Sequence, residues 1–188
     1  MKAIVRALPD RRPDIAPDAF LADGAVVIGD VRVGAQSSIW YGAVLRADVG
    51  AIRIGARVNV QDLSLLHMTA GHVATELEDE VTIGHRVVLH SARVGSGALV
   101  GTGAILLDGV EVGPEALVAA GTLLTPGTVV PARTLVRGHP GRVVRDLTEE
   151  EWQQGRRIAL RYLARAAEHA AVRDGEGLGV GGQPPPTK

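Results

Sequence analysis

The sequence predicts an all-β solenoid: a left-handed parallel β-helix of hexapeptide repeats with a C-terminal α-helix. Three observations carry that expectation. Branched aliphatic residues recur on every sixth position as Val94, Val100, Leu106, Val112, Val118, Leu124, Val130 and Val136. The chain is 46% apolar yet only 3% aromatic, so its core must be built from Val, Ile, Leu and Ala, which suit a narrow interior. The repeat then stops, and Thr148-Glu149-Glu150-Glu151 opens a helical run.

A period of six matches neither the 3.6 of a helix nor the simple alternation of a strand. It fits a coil with short flat sides, each side one six-residue unit, so that three sides make a turn of about 18 residues. The aliphatic residue points inward. Small or β-branched residues stand two places earlier, at Ala92, Ala98, Ala104, Val110, Ala116, Thr122, Thr128 and Thr134, and suit the corners. Gly95, Gly101 and Gly113 follow three of the aliphatics, where a turn favours glycine.

The same phase runs earlier through Val27, Val33, Ile39 and Leu45, then Ile54, Val60 and Leu66, then Ile83 and Leu89. It slips between Leu45 and Ile54, between Leu66 and Ile83, and between Leu89 and Val94. Only the middle slip has room for an excursion loop, around "MTAGHVATE". All three slips border polar clusters, and local departures from a rule often mark function.

These elements divide the chain into a β-helix domain with a short N-terminal segment over 1–146, a helix within 147–173, and a Gly- and Pro-rich tail over 174–188. The stretch "GHPGRVVRDL" reads as a connector. Thr148 and Glu151 form a capping box for a helix from about 149 to 172. Trp152, Ile158, Leu160, Tyr162 and Leu163 are expected to cover apolar surface. The tail's composition predicts disorder.

A formal charge of −1 argues against a nucleic-acid or membrane surface. The absence of Cys excludes disulfides, thiolate ligands and Cys nucleophiles. No apolar run suits a signal peptide or a membrane span. A cytoplasmic protein is expected.

Chemistry concentrates in Arg46, Asp48, Asn59, Gln61 and Asp62, followed by His67, His85 and His90. Each has an ordinary explanation: a solvated histidine, an exterior ion pair, a polar ladder satisfying backbone. Their arrangement points further. His67 follows the inward Leu66 and His90 the inward Leu89, so both hold the same place in their units. Equivalent places on successive turns lie about 4.8 Å apart, which lets two imidazoles converge on one ion. His85 stands one place later in its unit. Five extended residues span roughly 16 Å, and bending round a corner turns the side chain to another face. Delivering His85 to the His67–His90 pair is simplest from another subunit of a threefold assembly.

The stretches "WYGAVLRADV", "IGARVNVQD", "VTIGHRVVLH" and "GHPGRVVRDLTEEE" together resemble the gamma-class carbonic anhydrase family over roughly residues 10–165. The resemblance implies a homotrimer with metal sites between subunits, holding Zn2+ (or Fe2+ or Co2+) on His67, His85 and His90. Its substrates would be carbon dioxide and bicarbonate, with no nucleic acid and no membrane as partner. It assigns hydrogen bonding of the nucleophile to Gln61, and inter-subunit contact and site organisation to Arg46 and Asp48. Asn59 and Asp62 brace the site, and Tyr162 matches a site tyrosine from the helix.

The chain departs from that family's founding type at Val49, where the founding type has glutamate. It also lacks the long acidic loop that carries the proton-shuttle glutamate, so slow turnover is expected. Glu76, Glu78, Asp79 and Glu80 read as solvated charges, and His72 as a surface residue. "His-Ser" at His90–Ser91 stands where many relatives have His-Gly. Two other readings remain: a non-catalytic metal-binding or scaffold trimer of the same family, and a hexapeptide-repeat acyltransferase using one histidine as general base.

Overall fold

The computed structural model describes residues 2–174 and is a left-handed parallel β-helix crossed by one long helix. The expected tail over 174–188 lies, apart from the last helical residue, outside the described residues. Every inward aliphatic named by the six-residue period is at most 3% exposed. Burial of each contributes about 1.5–3 kcal/mol relative to exposure.

The inward residues fall into three columns, one per face of the prism. The first face stacks Val27, Leu45, Leu66, Leu89, Leu106 and Leu124 in parallel register. The second stacks Val33, Ile54, Leu77, Val94, Val112 and Val130. The third stacks Leu21, Ile39, Val60, Ile83, Val100, Val118 and Val136. Leu77 fills the position that the long slip hid from the periodic count. The glycines after inward residues let coils approach closely: a Cβ on Gly101 would lie 2.5 Å from the backbone nitrogen of Ala120.

Two segments depart from the expected outline. The N-terminal residues form the first coil, with Ile4–Arg6 beside Val26–Ile28, Asp14–Ile15 beside Arg32–Val33, and Phe20–Leu21 beside Ser38–Ile39. At the other end, "GHPGRVVRDL" is no mere connector. Gly141–Asp146 folds back antiparallel on Thr134–Gly138 around His139 and Pro140, a reversal that a parallel six-residue period cannot announce.

The three slips stack on one edge of the prism, the corner between the first and second faces. The first is a continuous strand, Val44–Ile54, that bends from one face to the next. The second is an excursion between the strands Leu65–His67 and Thr75–Leu77. The third is a tight passage from Val88–His90 to Arg93–Val94 through Ser91, whose φ is 47°. The corner between the third and first faces keeps its length, with Gly42, Leu63, Arg86, Gly103 and Gly121 all at positive φ.

The helix Glu149–Asp174 begins at the expected box: Glu151 Oε2 accepts from the Thr148 N–H at 2.9 Å, and Thr148 Oγ1 from the Glu151 N–H at 3.3 Å. It crosses the third face from late coils to early ones. Arg133 stacks 4.4 Å over Trp152, and Arg156 bridges Glu80 (3.1 Å) and Glu115 (3.4 Å). Gly155 presses so close that a Cβ there would lie 2.2 Å from Gly97 O. Tyr162 meets Trp40 edge-on at 5.2 Å. Leu160 corrects the sequence expectation: it is 55% exposed, because Gly155, Ala159 and Ala166 supply the contact stripe instead. Among the described residues no helix is long and apolar enough to cross a membrane.

Candidate metal centre

His67 and His90 face each other across paired strands. The parallel ladder aligns Leu66 with Leu89 and His67 with His90, although 23 residues separate each pair, because the excursion is expelled at the corner. The Nδ1 of His67 lies 3.2 Å from the Nε2 of His90. The far nitrogen of each ring meets a carboxylate: His67 Nε2 is 2.9 Å from Asp48 Oδ1, and His90 Nδ1 is 2.9 Å from Asp108 Oδ1.

The two carboxylates set the tautomers. Loss of solvent pushes the Asp48 carboxyl upward, but hydrogen bonds from His67 and Arg46 outweigh this and hold it below the ordinary carboxylate range. Asp108 behaves alike: desolvation raises it, and hydrogen bonds from His90, Ser91 and Thr69 bring it below that range. Ionised carboxylates only accept, so His67 Nε2 and His90 Nδ1 must donate. The remaining nitrogens, His67 Nδ1 and His90 Nε2, then face each other at 3.2 Å. Such a pair can take a cation between its two nitrogens. Two nitrogens bound to zinc at 2.0–2.1 Å in a tetrahedral set lie about 3.3–3.4 Å apart, so the donor set fits a metal ion.

Arg46 also pairs with Asp48 through Oδ2, and Arg11 donates to the Asp48 carbonyl. Arg46 and Asp48, two apart on one side of a strand, form an ion pair, and Asp48 joins it to His67.

His85 stands elsewhere. It occupies the regular corner between the third and first faces, one side of the prism from the His67–His90 pair. Its Nδ1 lies 2.8 Å from Asp62 Oδ2, which leaves Nε2 for another partner. Each of the three histidines therefore pairs one ring nitrogen with an aspartate and keeps the other available, the arrangement common around metal-ligating imidazoles. Among the described residues, no group of three or more His, Asp or Glu side chains is placed to hold a metal within one chain.

Gln61 sits on the His85 corner. Its Nε2 donates to Asn59 Oδ1 at 2.9 Å, and Asn59 Nδ2 donates to Thr82 Oγ1 at 2.9 Å. Thr82 Oγ1 reaches the Gly155 carbonyl of the helix at 3.4 Å. Gln61, His85 and Tyr162 line one groove under the helix, together with Arg161 and Arg165. Burial pushes the Tyr162 phenol up, with the Asp62 charge adding to it, so it stays protonated at neutral pH.

The acidic run after the excursion is not aimed at the histidines. Glu76 pairs with Arg93, Glu78 accepts from the Ser96 N–H, Asp79 from the Ala56 N–H, and Glu80 pairs with Arg57. His72 is exposed in the excursion, and Val49 is 43% exposed beside Asp48.

Asp108 escaped the sequence reading. "LLDGVEVG" looks like an ordinary corner, yet Asp108 stands 18 residues after His90, one regular turn. Comparing polar residues one turn away from each histidine would have found it.

No family model matches the chain. A carbonic anhydrase of Geobacillus kaustophilus is 46% identical over 162 residues, covering 86% of this chain and 88% of the relative. The mitochondrial gamma carbonic anhydrase 1 of Arabidopsis thaliana is 42% identical over 167 residues; the match covers 86% of this chain and 61% of that longer protein. Among solved structures, a Bacillus cereus protein provisionally named an acetyltransferase superposes with a TM-score of 0.89 at 41% identity, covering 92% of this chain and 99% of the other. With this coverage and identity, and with the repeat and the histidines in place, the chain belongs to the gamma carbonic anhydrase family.

Proposed function

We propose that the protein catalyses reversible hydration of carbon dioxide to bicarbonate at a metal ion, zinc or else iron or cobalt, shared between subunits of a homotrimer. The observation that carries this reading is the approach of His67 Nδ1 and His90 Nε2 to 3.2 Å, each ring held from behind by an aspartate. His67 and His90 of one subunit would hold the ion together with His85 of a neighbour. When bound, the metal ion supplies the Lewis acidity that makes water nucleophilic near neutral pH.

The rest of the work falls to the chain. Asp48, Asp108 and Asp62 aim the three imidazoles. Gln61 is held by Asn59 and keeps an amide oxygen and one N–H free of that bond, able to orient the attacking water and a carbon dioxide oxygen. Tyr162 offers a protonated phenol in the same groove. Hydration adds the water oxygen to carbon and releases one proton. Val49 has no acid–base group to take it, so the proton passes to solvent buffer and turnover is limited by that transfer. Leu63 and Leu65, 63% and 37% exposed beside the first face, and Val73, 43% exposed in the excursion, supply apolar surface for a neighbouring subunit.

The test is metal analysis of protein purified without chelators, followed by stopped-flow carbon dioxide hydration of zinc- and iron-loaded protein. Bound metal with hydration supports the reading. Bound metal without hydration favours a binding or scaffold trimer, and protein without metal removes both. Acetyl-CoA turnover by metal-free protein would establish acyl transfer instead, the activity in the name of the Bacillus cereus neighbour. The shared site has its own test: mixing His85→Ala with His90→Ala subunits restores some intact sites, and verified mixed trimers with no recovery would refute it.

A further inference from the structure

We propose that Asp108, on a corner tied to Ser91, is the positioning residue that fixes His90 and thereby sets the metal affinity of the centre. The inference deepens the metal reading above and rests on it.

The geometry is asymmetric around the two facing histidines. Asp48, behind His67, sits on the preceding coil and is shared with Arg46. Asp108, behind His90, sits on the following coil and has no arginine on it among the described residues. Its corner is tied instead to Ser91, whose carbonyl accepts from the Gly109 N–H at 2.8 Å, while Asp108 itself meets His90 at 2.9 Å. Ser91 is fully buried, and its Oγ also accepts from the Thr69 N–H at 2.9 Å. Ser91 therefore ties the start of the excursion, through its hydroxyl, and the next coil, through its carbonyl, to the tight corner after His90.

Ser91 does this at a φ of 47°, in the left-handed region where glycine is the ordinary occupant. A buried serine kept in a glycine-like conformation, with its hydroxyl accepting from the Thr69 N–H, indicates that the hydroxyl matters more than the backbone ease it forfeits. Its effect is to hold the corner at which His90 Nδ1 meets Asp108. The ring is then oriented with Nδ1 on Asp108 and Nε2 toward His67. Carboxylate partners behind ligating histidines typically govern affinity by about 10–100-fold.

Three variants test this: Asp108→Ala, Asp108→Asn and Ser91→Gly. Zinc affinity is measured by competition with a chromophoric chelator, the visible spectrum of the cobalt-loaded protein reports ligand geometry, and apo-protein thermal unfolding serves as the fold control. Asp108→Ala is expected to bind zinc about 10–100-fold more weakly. Asp108→Asn recovers part of the loss, because its amide oxygen still accepts from His90 Nδ1–H. Ser91→Gly relaxes the backbone, so its unfolding temperature holds or rises while its zinc affinity falls and its cobalt spectrum shifts. That opposition is one a purely structural role would not produce. Wild-type zinc affinity in folded Asp108→Ala, or affinity losses that only track lost stability, would overturn the inference. Wild-type protein that binds no zinc would overturn the metal reading beneath it, and this inference with it.

Discussion

The coils from Val94 to Val136 and the corner that carries His67 and His90 are made by the same repeat, and they use it in opposite ways. In the late coils each inward aliphatic repeats at six, each face pairs in register, and the corners keep their length. At the histidine corner the steps lengthen or shorten in three successive coils, while the strands on either side stay paired. Regularity there is confined to the ladder, and polar side chains collect where the ladder is interrupted. Stability and chemistry thus occupy separable parts of one pattern, and mutations should separate them.

The largest expected effect falls on chemistry. His90→Ala should abolish zinc retention and carbon dioxide hydration while leaving the far-ultraviolet circular dichroism and the cooperative unfolding of the coil intact. If instead it unfolded the protein, the corner would be structural and the contrast would fail.

Leu106→Ala is the converse. Leu106 is fully buried one coil beyond Leu89, and truncation there should cost about 2–5 kcal/mol, read from urea unfolding. Zinc affinity of the folded fraction should change far less than in His90→Ala.

Gly155→Ala sharpens the comparison at the helix. The added Cβ would meet Gly97 O at 2.2 Å, forcing the helix outward and pulling its carbonyl from Thr82. A cost of about 1–3 kcal/mol is expected from overpacking. Hydration should fall through the Thr82–Asn59–Gln61 hydrogen bonds with zinc content unchanged, as kinetics beside metal analysis would show.

The smallest effect belongs to the helix cap. Hydrogen bonds from Arg145 and from the Thr148 N–H hold the Glu151 carboxyl down, to about 2. A depressed carboxylate contributes its stabilisation above its unfolded value, so that contribution is complete above about pH 5 and is lost as pH falls toward 2. Helical signal should fray over that window, and Glu151→Gln should remove the pH dependence without altering the coil.

The sequence made the coils legible because inward positions tolerate few residue types and their period of six is unlike any other. Leu77 disappeared from the count because the excursion shifted its phase, not its burial. The reversal at Gly141–Asp146 was invisible because its valines, Val143 and Val144, face outward and alternate with nothing. The His67–His90 pairing was readable from their common place after inward leucines. Asp108 was not, since its role depends on a partner one turn away and its own surroundings resemble any corner. Leu160 is apolar yet exposed, because close approach of the helix to the coil favours Gly155, Ala159 and Ala166.

The excursion after His67 also bears on how such a protein changes over evolutionary time. Thr69–Val73 leaves the prism and returns with Leu77 still opposite Ile54 and Val94. A corner that expels residues without disturbing the strands is a point at which insertions are tolerated. New side chains can be brought over the histidines there by lengthening a loop, with no renegotiation of the core.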